Sequence, residues 1–373
     1  MGALQGIRVI EMAGLAPAPF CGLILADFGA DVVRVDRVGA GAMDQLARGK
    51  RSVAVNLKSP EGVETVRRLA SQADVLLEPY RPGVMERLGL GPQGLCASNP
   101  RLVYARLTGF GQDGPYASMA GHDINYIALS GALSLIGRKG ENPLPPINLL
   151  GDFAGGGMLC ALGIALALLE RARSGTGQVV DAAMVDGAAY LSTFVYKFRN
   201  SGFWRDERGT NMLDTGAPFY DTYRTKDGAY MSVGAIEPQF YAAFLNGLGL
   251  DAATMPHQMD QGQWKATAAK FAAIFATKTR AEWCAVFDGT DACVAPVLNL
   301  GEVGEHPHNR ARDLLIADRQ GKLEPAPAPR LSRTPGDGAR PLPQVGEHTR
   351  PVLGEYGFTA ADVERLLASG AIG

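Results

Sequence analysis

The sequence predicts an α/β fold, in which a large Rossmann-like domain with a parallel sheet is joined to a smaller α/β domain. A chain of 373 residues is too long for one ordinary hydrophobic core and suggests two domains or one large domain with an insertion. Short β-branched runs alternate with helical patterns through the first half, and a hairpin pattern replaces that alternation near residue 217. Apolar residues make up 46% and charged residues 20%, which is typical of globular proteins.

Strands and helices alternate along the first half of the chain. β-branched runs predict strands at residues 7–10, 31–35, 52–57, 74–77, 102–107 and 178–184. Helical patterns cover residues 20–28, 60–71 and 153–173. Strands that are joined through helices pair in parallel with right-handed crossovers, so these runs predict the Rossmann-like sheet.

The second half predicts a smaller domain and a C-terminal return. Strand patterns at 219–224 and 229–233 flank a Lys226-Asp227-Gly228 turn and predict a hairpin. Helical patterns follow at 238–248, 264–276 and 280–287, and a short strand pattern at 293–297. Alternating prolines predict an extended stretch at 324–329, and Thr359-Ala360-Ala361-Asp362 predicts the start of a last helix.

These patterns place the domain boundaries. We expect a large domain over residues 1–186 that is completed by residues 325–373. Residues 187–216 are predicted to be a linker, and residues 217–324 to be the small domain.

The composition excludes several classes of partner. A net charge of −2 argues against bulk electrostatic binding to nucleic acid or anionic lipid, so any anion site has to be local. The five cysteines form no C-x-x-C pair, which indicates reduced thiols in an intracellular protein and no metal framework. The apolar run 153–169 contains three consecutive glycines and suits a buried helix better than a membrane span.

The first turn after a predicted strand departs from a dinucleotide-binding fingerprint. Its sequence, Gly14-Leu15-Ala16-Pro17-Ala18-Pro19, has prolines where close approach to a pyrophosphate requires glycine. Asp36 ends the second strand, at the position of a ribose-binding acid. We favour a doubly wound sheet that does not bind a nicotinamide cofactor.

A basic cluster follows the second and third strands and extends to the loop after the fourth. Its members are Arg37, Arg48, Lys50, Arg51, Lys58 and Arg81. Ligands of open α/β sheets bind at the carboxyl ends of the strands, where such side chains suit a phosphorylated adenosine group. A solvated basic loop explains the same residues equally well, and both interpretations stay open.

His122 and Asp152 are the two candidate proton-transfer groups. An imidazole titrates near pH ~6.5 without help, whereas a carboxyl group needs burial to hold a proton there. A lone histidine is more often structural, and Asp152 precedes a helical pattern where it could act as an N-cap. Alternatively, backbone N–H groups at that helix start could stabilise an enolate oxygen while the Asp152 carboxyl exchanges protons.

Glu237 is a third candidate. It lies where the predicted hairpin of the small domain meets a helix, and by itself it is a helix-start acid. If the small domain covers a site on the large one, the carboxylate could orient and polarise an imidazole.

Several long motifs occur together and in order between about Leu4 and Phe358. They are Leu15-Ala16-Pro17 with Pro19, Leu25-Ala26-Asp27-Phe28-Gly29-Ala30, Gly121-His122-Asp123-Ile124-Asn125-Tyr126, Asp152-Phe153-Ala154-Gly155-Gly156, Asn211-Met212-Leu213-Asp214, Gly234-Ala235-Ile236-Glu237-Pro238-Gln239-Phe240-Tyr241 and Asp291-Ala292-Cys293-Val294. On these motifs the chain resembles the α-methylacyl-CoA racemases of the family III CoA-transferase superfamily.

The resemblance implies a site and an assembly. Catalysis would fall to His122 and Asp152, with Glu237 supporting His122. We assign CoA binding to Arg37, Val55, Asn56, Leu57, Lys58, Arg81, Gly121, Asp123, Ile124, Asn125 and Tyr126. The resemblance also implies an interlocked homodimer with sites between subunits, and no metal or cofactor, because CoA is part of the substrate.

The implied reaction inverts C2 of 2-methylacyl-CoA thioesters, with branched fatty acyl or bile-acid-type chains, by two-base proton transfer through an enolate. A CoA-transferase of the same superfamily, with Asp152 as nucleophile, is the alternative, and a non-enzymatic acyl-CoA carrier is a third possibility. The family implies a peroxisome or mitochondrion for an animal protein and the cytoplasm for a bacterial one, and the chain shows no targeting signal.

Overall fold

The structure is a computed structural model that describes residues 2–318 and 320–373. Two compact units are present. The first comprises the chain up to Ser130, Ile147–Leu191 and His308–Gly373, and the second comprises Gly131–Pro146 and Ser192–Pro307. The second unit therefore begins and ends earlier than the predicted small domain. The predicted linker contains the end of one helix, Met184–Leu191, and the whole of a second, Thr193–Asn200, and the unit boundary at residue 192 falls between them.

A six-stranded parallel sheet forms the centre of the first unit, as predicted. The strands are β1 (Arg8–Met12), β2 (Asp31–Asp36), β3 (Arg51–Ala54), β4 (Val75–Glu78), β5 (Val103–Thr108) and β6 (Val179–Ala183). Their order is β3-β2-β1-β4-β5-β6, and every neighbouring pair is parallel. The chain order reverses between β1 and β4, which is where doubly wound sheets open a crevice for ligands.

Seven helices of the first unit precede or follow these strands. They are α1 (Pro17–Asp27), α2 (Pro60–Ser71), α3 (Val84–Arg87), α4 (Pro92–Ser98), α5 (Asp123–Leu129), α6 (Leu159–Ser174) and α7 (Met184–Leu191). Alternate strand residues face opposite sides of the sheet. Ile10 and Val33 join a core with α2 and α4, while Val9 and Val32 join a second core with α1 and α6. Both faces of the sheet are therefore covered.

The predicted helix at 153–173 begins earlier and in a different form. Leu149–Met158 is a wide π-helical segment that runs directly into α6. A methyl group on Gly187 of α7 would lie 1.9 Å from the carbonyl oxygen of Gly155, and one on Gly157 would lie 2.6 Å from that of Pro17 in α1. Only glycine permits such close packing, so the glycine run brings this segment against both helices.

By length and composition, Leu149–Ser174 is also the helical stretch in the described ranges that could cross a membrane. One side of it is buried against the first unit, including Gly155, Gly156, Cys160 and Ile164. A core helix of a globular unit has this arrangement, so composition alone is weak support for a span.

The second unit has an antiparallel sheet and an aromatic core. Its elements are α8 (Thr193–Asn200), β7 (Tyr220–Arg224), β8 (Tyr230–Gly234), α9 (Pro238–Gly247), α10 (Trp264–Phe275), α11 (Arg280–Phe287) and β9 (Val294–Pro296). The order β7-β8-β9 confirms the predicted hairpin and the short third strand. Phe219, Phe244 and Trp283 are fully buried between the sheet and the helices.

The C-terminal region returns to the first unit. Its elements are α12 (Pro307–Ala311), β10 (Leu315–Ala317), β11 (Leu323–Pro325), α13 (Thr349–Glu355) and α14 (Ala360–Ala368). The predicted capping box is confirmed, because Thr359 Oγ1 accepts the Asp362 N–H at 3.1 Å and the Asp362 carboxylate accepts the Thr359 N–H at 3.0 Å. The first proline of the predicted extended stretch lies in β11, which pairs with β10 in an antiparallel hairpin.

The last residues extend the sheet at β3. The Asn56 N–H donates to the Ala371 carbonyl at 2.8 Å, and the Gly373 N–H donates to the Ala54 carbonyl at 3.0 Å. Ile372 is buried in the same core as Val55. The C-terminus thereby holds the segment that follows β3.

We expect Ile372→Ala to lower the free energy of unfolding by about 3 kcal/mol, because it leaves a cavity in a packed core. Guanidinium unfolding of the full chain measures this change. The exposed Leu323 supplies a control, since Leu323→Ala should change stability by no more than ~0.5 kcal/mol. An Ile372→Ala loss as small as that of the control would contradict the docking described here.

Candidate active site

Three basic side chains lie along the carboxyl edge of the parallel sheet. Arg37 directly follows β2, Lys58 lies shortly after β3, and Arg81 lies in the loop after β4. All three side chains are exposed, and none forms a salt bridge with any residue in 2–318 or 320–373. They remain available to an anionic ligand at this edge.

The other three members of the basic cluster neither face a ligand nor lie in a solvated loop, because they form ion pairs within the protein. Arg48 is buried and pairs with Asp27 at 2.8 Å and Glu324 at 2.7 Å. Lys50 is fully buried and pairs with Glu11 at 2.6 Å. Buried charges require such partners, so neither side chain can be a solvated or ligand-binding group in this arrangement.

Arg51 is likewise engaged within the protein. Its guanidinium bonds the carboxylates of Asp31, at the start of β2, and Glu355, at the end of α13. It thereby ties the C-terminal region to the sheet.

Asp36 is satisfied by neighbouring side chains. Arg34 Nε donates to one of its oxygens at 3.0 Å, and Ser52 Oγ donates to the other at 2.7 Å. A carboxylate with these partners is poorly placed to bind a ribose, which agrees with the absence of a dinucleotide fingerprint in the sequence.

The segment after β3 is tied to the C-terminus. Val55 is buried and forms a bridge with Ile372, while Asn56 Nδ2 donates to the Gly370 carbonyl at 3.3 Å. Leu57 is half-buried and Lys58 is exposed. Contact of CoA with these four residues stays a prediction, and for Val55 it would have to use the backbone.

His122 is the N-cap residue of α5, and its side chain is exposed. Its backbone N–H donates to Asn125 Oδ1 at 3.0 Å. Tyr126, one turn later, is buried and its hydroxyl donates to the Gly121 carbonyl. A methyl group on Gly121 would lie 2.7 Å from the Tyr126 ring, so glycine is needed for this turn. His122 is thus presented on a turn with internal hydrogen bonds.

Asp152 lies in the first turn of the π-helical segment and is half-buried. Asn148 Nδ2 donates to Asp152 Oδ2 at 3.1 Å. The N-cap position belongs to Asn148, and the helical segment already includes Leu149 to Gly151 before Asp152. The N-cap interpretation of Asp152 is therefore wrong, and its carboxyl group is free of a capping role.

Asp123 occupies the centre of this site. It is 4% exposed, and its Oδ2 accepts the backbone N–H groups of Gly151 at 2.6 Å and Asp152 at 2.7 Å. Those two N–H groups are therefore not available to an enolate oxygen, contrary to the hypothesis from sequence. The buried Asp123 side chain contacts the backbone of the segment that carries Asp152, and a direct contact of Asp123 with CoA stays a prediction.

The surroundings of Asp152 favour its protonated form. Burial raises the pKa of its carboxyl group, and the negative charge of Asp123 raises it further. The hydrogen bond from Asn148 and the charge of His122 act in the opposite direction. The structure therefore brings His122 and Asp152 close enough for the charge of one to affect the proton on the other.

The remaining site residues fall into two groups. Ile124 and Asn125 are exposed on α5 beside His122. Glu237 belongs to the second unit, where it is the exposed N-cap residue of α9 and makes no capping hydrogen bond with its side chain. Its charge contributes, after burial, to the raised pKa of Cys293. Support of His122 by Glu237 stays a prediction.

Sequence reasoning missed two contacts of the candidate site. Asn148 was not singled out, although its position four residues before Asp152 on a helical pattern is a signal for a side-chain pair. The contact of Asp123 with the Asp152 backbone joins residues 29 positions apart, and no local pattern reveals it. In the described ranges, no group of three or more His, Cys, Asp or Glu side chains could hold a metal ion.

Three known proteins are similar to this chain over nearly its whole length. A racemase from Mus musculus, "Alpha-methylacyl-CoA racemase", is 59% identical over 97% of this chain and 96% of its own length. The protein of the same name from Homo sapiens is 56% identical over 98% of this chain and 96% of its own length. Among solved structures, a CAIB/BAIF family protein from Brucella suis superimposes with a TM-score of 0.80 at 26% identity, covering 95% of this chain and 99% of that one.

A family model agrees with these similarities. The model described as CoA-transferase family III matches residues 4–349, which include β1, the His122 turn, the Asp152 segment and the whole second unit. The chain belongs to the CoA-transferase family III.

Proposed function

We propose that this protein is a racemase that inverts C2 of 2-methylacyl-CoA thioesters. The observation that carries the proposal is the pairing of an exposed imidazole, His122, with a half-buried carboxyl group, Asp152, whose pKa is raised mainly by burial. An imidazole is a side chain suited to general acid and base catalysis, and burial shifts the Asp152 carboxyl group towards its protonated form. The high identity to proteins named alpha-methylacyl-CoA racemase supports the same reaction.

The two groups divide a 1,1-proton transfer between them. For one enantiomer, the neutral His122 imidazole takes the C2 proton, and the electrons of that C–H bond form the thioester enolate. Asp152 then gives its carboxyl proton to the opposite face of C2, which forms the new C–H bond and leaves a carboxylate. For the other enantiomer the Asp152 carboxylate is the base and the His122 imidazolium is the acid. The active enzyme therefore carries one proton on the pair in either direction.

The basic edge of the sheet suits the phosphorylated end of CoA. Lys58 and Arg37 follow the neighbouring strands β3 and β2, whereas His122 lies beyond the end of β5. An extended CoA thioester could place its phosphates beside Lys58 and Arg37 and its acyl carbon beside His122. Arg81, after β4, lies between them in strand order. The acyl chain would be a branched fatty acyl or bile-acid-type group.

We also propose a homodimer, interlocked as the family resemblance implies. Leu162, Leu166 and Leu169 recur on one face of α6, and each is more than half exposed in the single chain. A contiguous apolar face on a soluble chain marks an interaction surface, and a second copy of this chain would cover it. In such a dimer, Glu237 could support His122 from the same or the other subunit.

On this proposal CoA is the only bound group that the reaction needs, because neither proton transfer changes an oxidation state. We propose a soluble intracellular protein, in the compartment that the family resemblance implies: a peroxisome or mitochondrion for an animal protein and the cytoplasm for a bacterial one.

The proposed reaction predicts deuterium exchange without a second substrate. Incubation of one enantiomer of a 2-methylacyl-CoA in D2O should place deuterium at C2 and remove optical purity, which mass spectrometry and chiral analysis of the acid measure. A CoA-transferase would instead move CoA to an added carboxylic acid and leave C2 unexchanged. That second result would overturn the racemase and favour the alternative in which Asp152 is a nucleophile.

We expect His122→Ala and Asp152→Ala each to reduce kcat for racemisation by at least ~100-fold, because each removes a proton-transfer group. CoA binding, measured by calorimetry, should remain within a few-fold of wild type. Arg205→Ala, in the second unit, is a control expected to keep wild-type racemisation. Full racemisation by folded Asp152→Ala would exclude this carboxyl group from the chemistry.

Leu166→Glu should weaken the dimer, because association would bury an unpaired carboxylate. Sedimentation at increasing protein concentration is expected to show a larger monomer fraction than wild type. Lys139→Glu supplies a charge-changing control at an exposed site in the second unit. Wild-type sedimentation of Leu166→Glu would mean that this face of α6 is not the subunit contact.

A further inference from the structure

We propose that Asp123 is a positioning residue that couples the two proton-transfer groups: its carboxylate fixes the Asp152 segment relative to His122 and keeps a negative charge beside the Asp152 carboxyl group. The proposal rests on the proposed racemase function and adds a role to the same site.

The geometry of Asp123 supports the positioning role. Asp123 follows His122 directly and forms the first residue of α5, so its backbone moves with the imidazole. Its Oδ2 accepts two backbone N–H groups, one of them from Asp152 itself, at 2.6 and 2.7 Å. The contact thus joins the residue next to one proton-transfer group with the backbone of the other.

Close packing makes this contact rigid. A methyl group on Gly151 would lie 2.6 Å from Asp123 Oδ2 and 3.2 Å from a side-chain carbon of Ile127. The carboxylate therefore lies against the backbone with no room for another side chain. A displacement of about 1 Å in such a site can reduce a rate by ~100-fold.

The second oxygen of Asp123 indicates that the charge itself matters. Oδ1 is buried and has no hydrogen-bond partner within the described part of the chain. A buried carboxylate with only one oxygen satisfied costs stability, and the fold nevertheless keeps this one beside Asp152. Its charge acts on Asp152, where it is one of the causes of the raised pKa.

The other groups around Asp152 define what a change at Asp123 should do. The N-cap residue His122 and Tyr126 of α5 both interact with Asp152. Burial raises the pKa of the Tyr126 hydroxyl, the charge of Asp152 raises it further, and the charge of Arg81 lowers it. α1 and α7 pack against the segment through Pro17, Phe20 and the backbone of Gly187, which carry no charge. Asp123 is therefore the anionic side chain whose removal should most change the proton affinity of the pair.

The sign of the expected shift follows from the protonation states. Active enzyme carries one proton on His122 and Asp152 together, so kcat/KM falls at low pH when both are protonated and at high pH when neither is. Removing a neighbouring negative charge disfavours every protonated state. Both limbs of the pH profile should then move to lower pH.

Three variants separate position from charge. Asp123→Asn keeps an acceptor oxygen for the two N–H groups, so its maximal kcat should stay within ~10-fold of wild type while both limbs move down by about 1 pH unit. Asp123→Ala should show the same shift and a fall in kcat of ~100-fold or more. Gly151→Ala pushes on the carboxylate without removing its charge, so kcat should fall ~10-fold or more with limbs nearer those of wild type.

Asp362→Asn is the matched control. Asp362 also accepts a backbone N–H near a helix start, but α14 packs in the core on the opposite face of the sheet. This variant should keep the wild-type pH profile. Circular dichroism and thermal melting establish which variants are folded, and Gly151→Ala decides the positioning role if Asp123→Ala does not fold.

The outcomes distinguish this inference from the function on which it rests. If the wild-type protein does not exchange the C2 hydrogen, the racemase proposal fails before any variant is compared. If wild type exchanges it and Asp123→Asn keeps both limbs within ~0.3 pH unit, the charge role is overturned. Wild-type kcat in folded Asp123→Ala or folded Gly151→Ala overturns the positioning role.

Discussion

The site depends on the close packing of the π-helical segment Leu149–Met158 against α1 and α7, which only glycine permits. Gly155 and Gly157 lie so close to α7 and α1 that a single methyl group could not be added without moving backbone. Helices that approach this closely lose freedom to slide or rotate. The first turn of the segment, with Asp152, is consequently held at a fixed depth beside α5, half in the protein and half at its surface.

Charged side chains at the sheet fall into buried ion pairs and exposed cations at its carboxyl edge. Lys50 and Glu11 form a pair with no solvent contact, and burial both lowers the pKa of the lysine and raises that of the glutamate. A methyl group on Gly22 would lie 1.7 Å from the Glu11 carboxylate, so α1 closes directly over the pair. Such pairs add little net stability, but removing one partner leaves an expensive buried charge. Cations left at the edge of the sheet, such as Arg37, are the ones that can bind a ligand.

Periodicity and turn chemistry were sufficient to predict most of the fold. The β-branched run Asp31–Val35 predicted a strand, and β2 lies there with valines packed on both faces of the sheet. The Thr359 capping box marked the start of α14. The boundaries between the units were less accessible. Chain segments 131–146 and 192–216 join the second unit through tertiary packing, which no local pattern records.

The sequence predicted which residues belong to the candidate site but not how they contact one another. His122 and Asp152 were identified from residue type and family resemblance, and the basic cluster from charge alone. Charge alone could not separate Lys58 at the surface from Lys50 in the core, because that distinction depends on Glu11, 39 residues earlier. The long-range bond from the Asp152 N–H to Asp123 was hidden for the same reason.

The unequal exposure of the two proton-transfer groups has a consequence for isotopes. The His122 imidazole faces water, whereas the Asp152 carboxyl group is half-buried. On the proposed reaction, a proton taken by the imidazole equilibrates with solvent quickly, but one taken by the carboxylate stays longer and can be returned to the carbon it left. Because each inversion replaces the original C2 hydrogen with the proton of the opposite group, exchange at C2 would then run ahead of inversion for the enantiomer that His122 deprotonates and keep pace with inversion for the other.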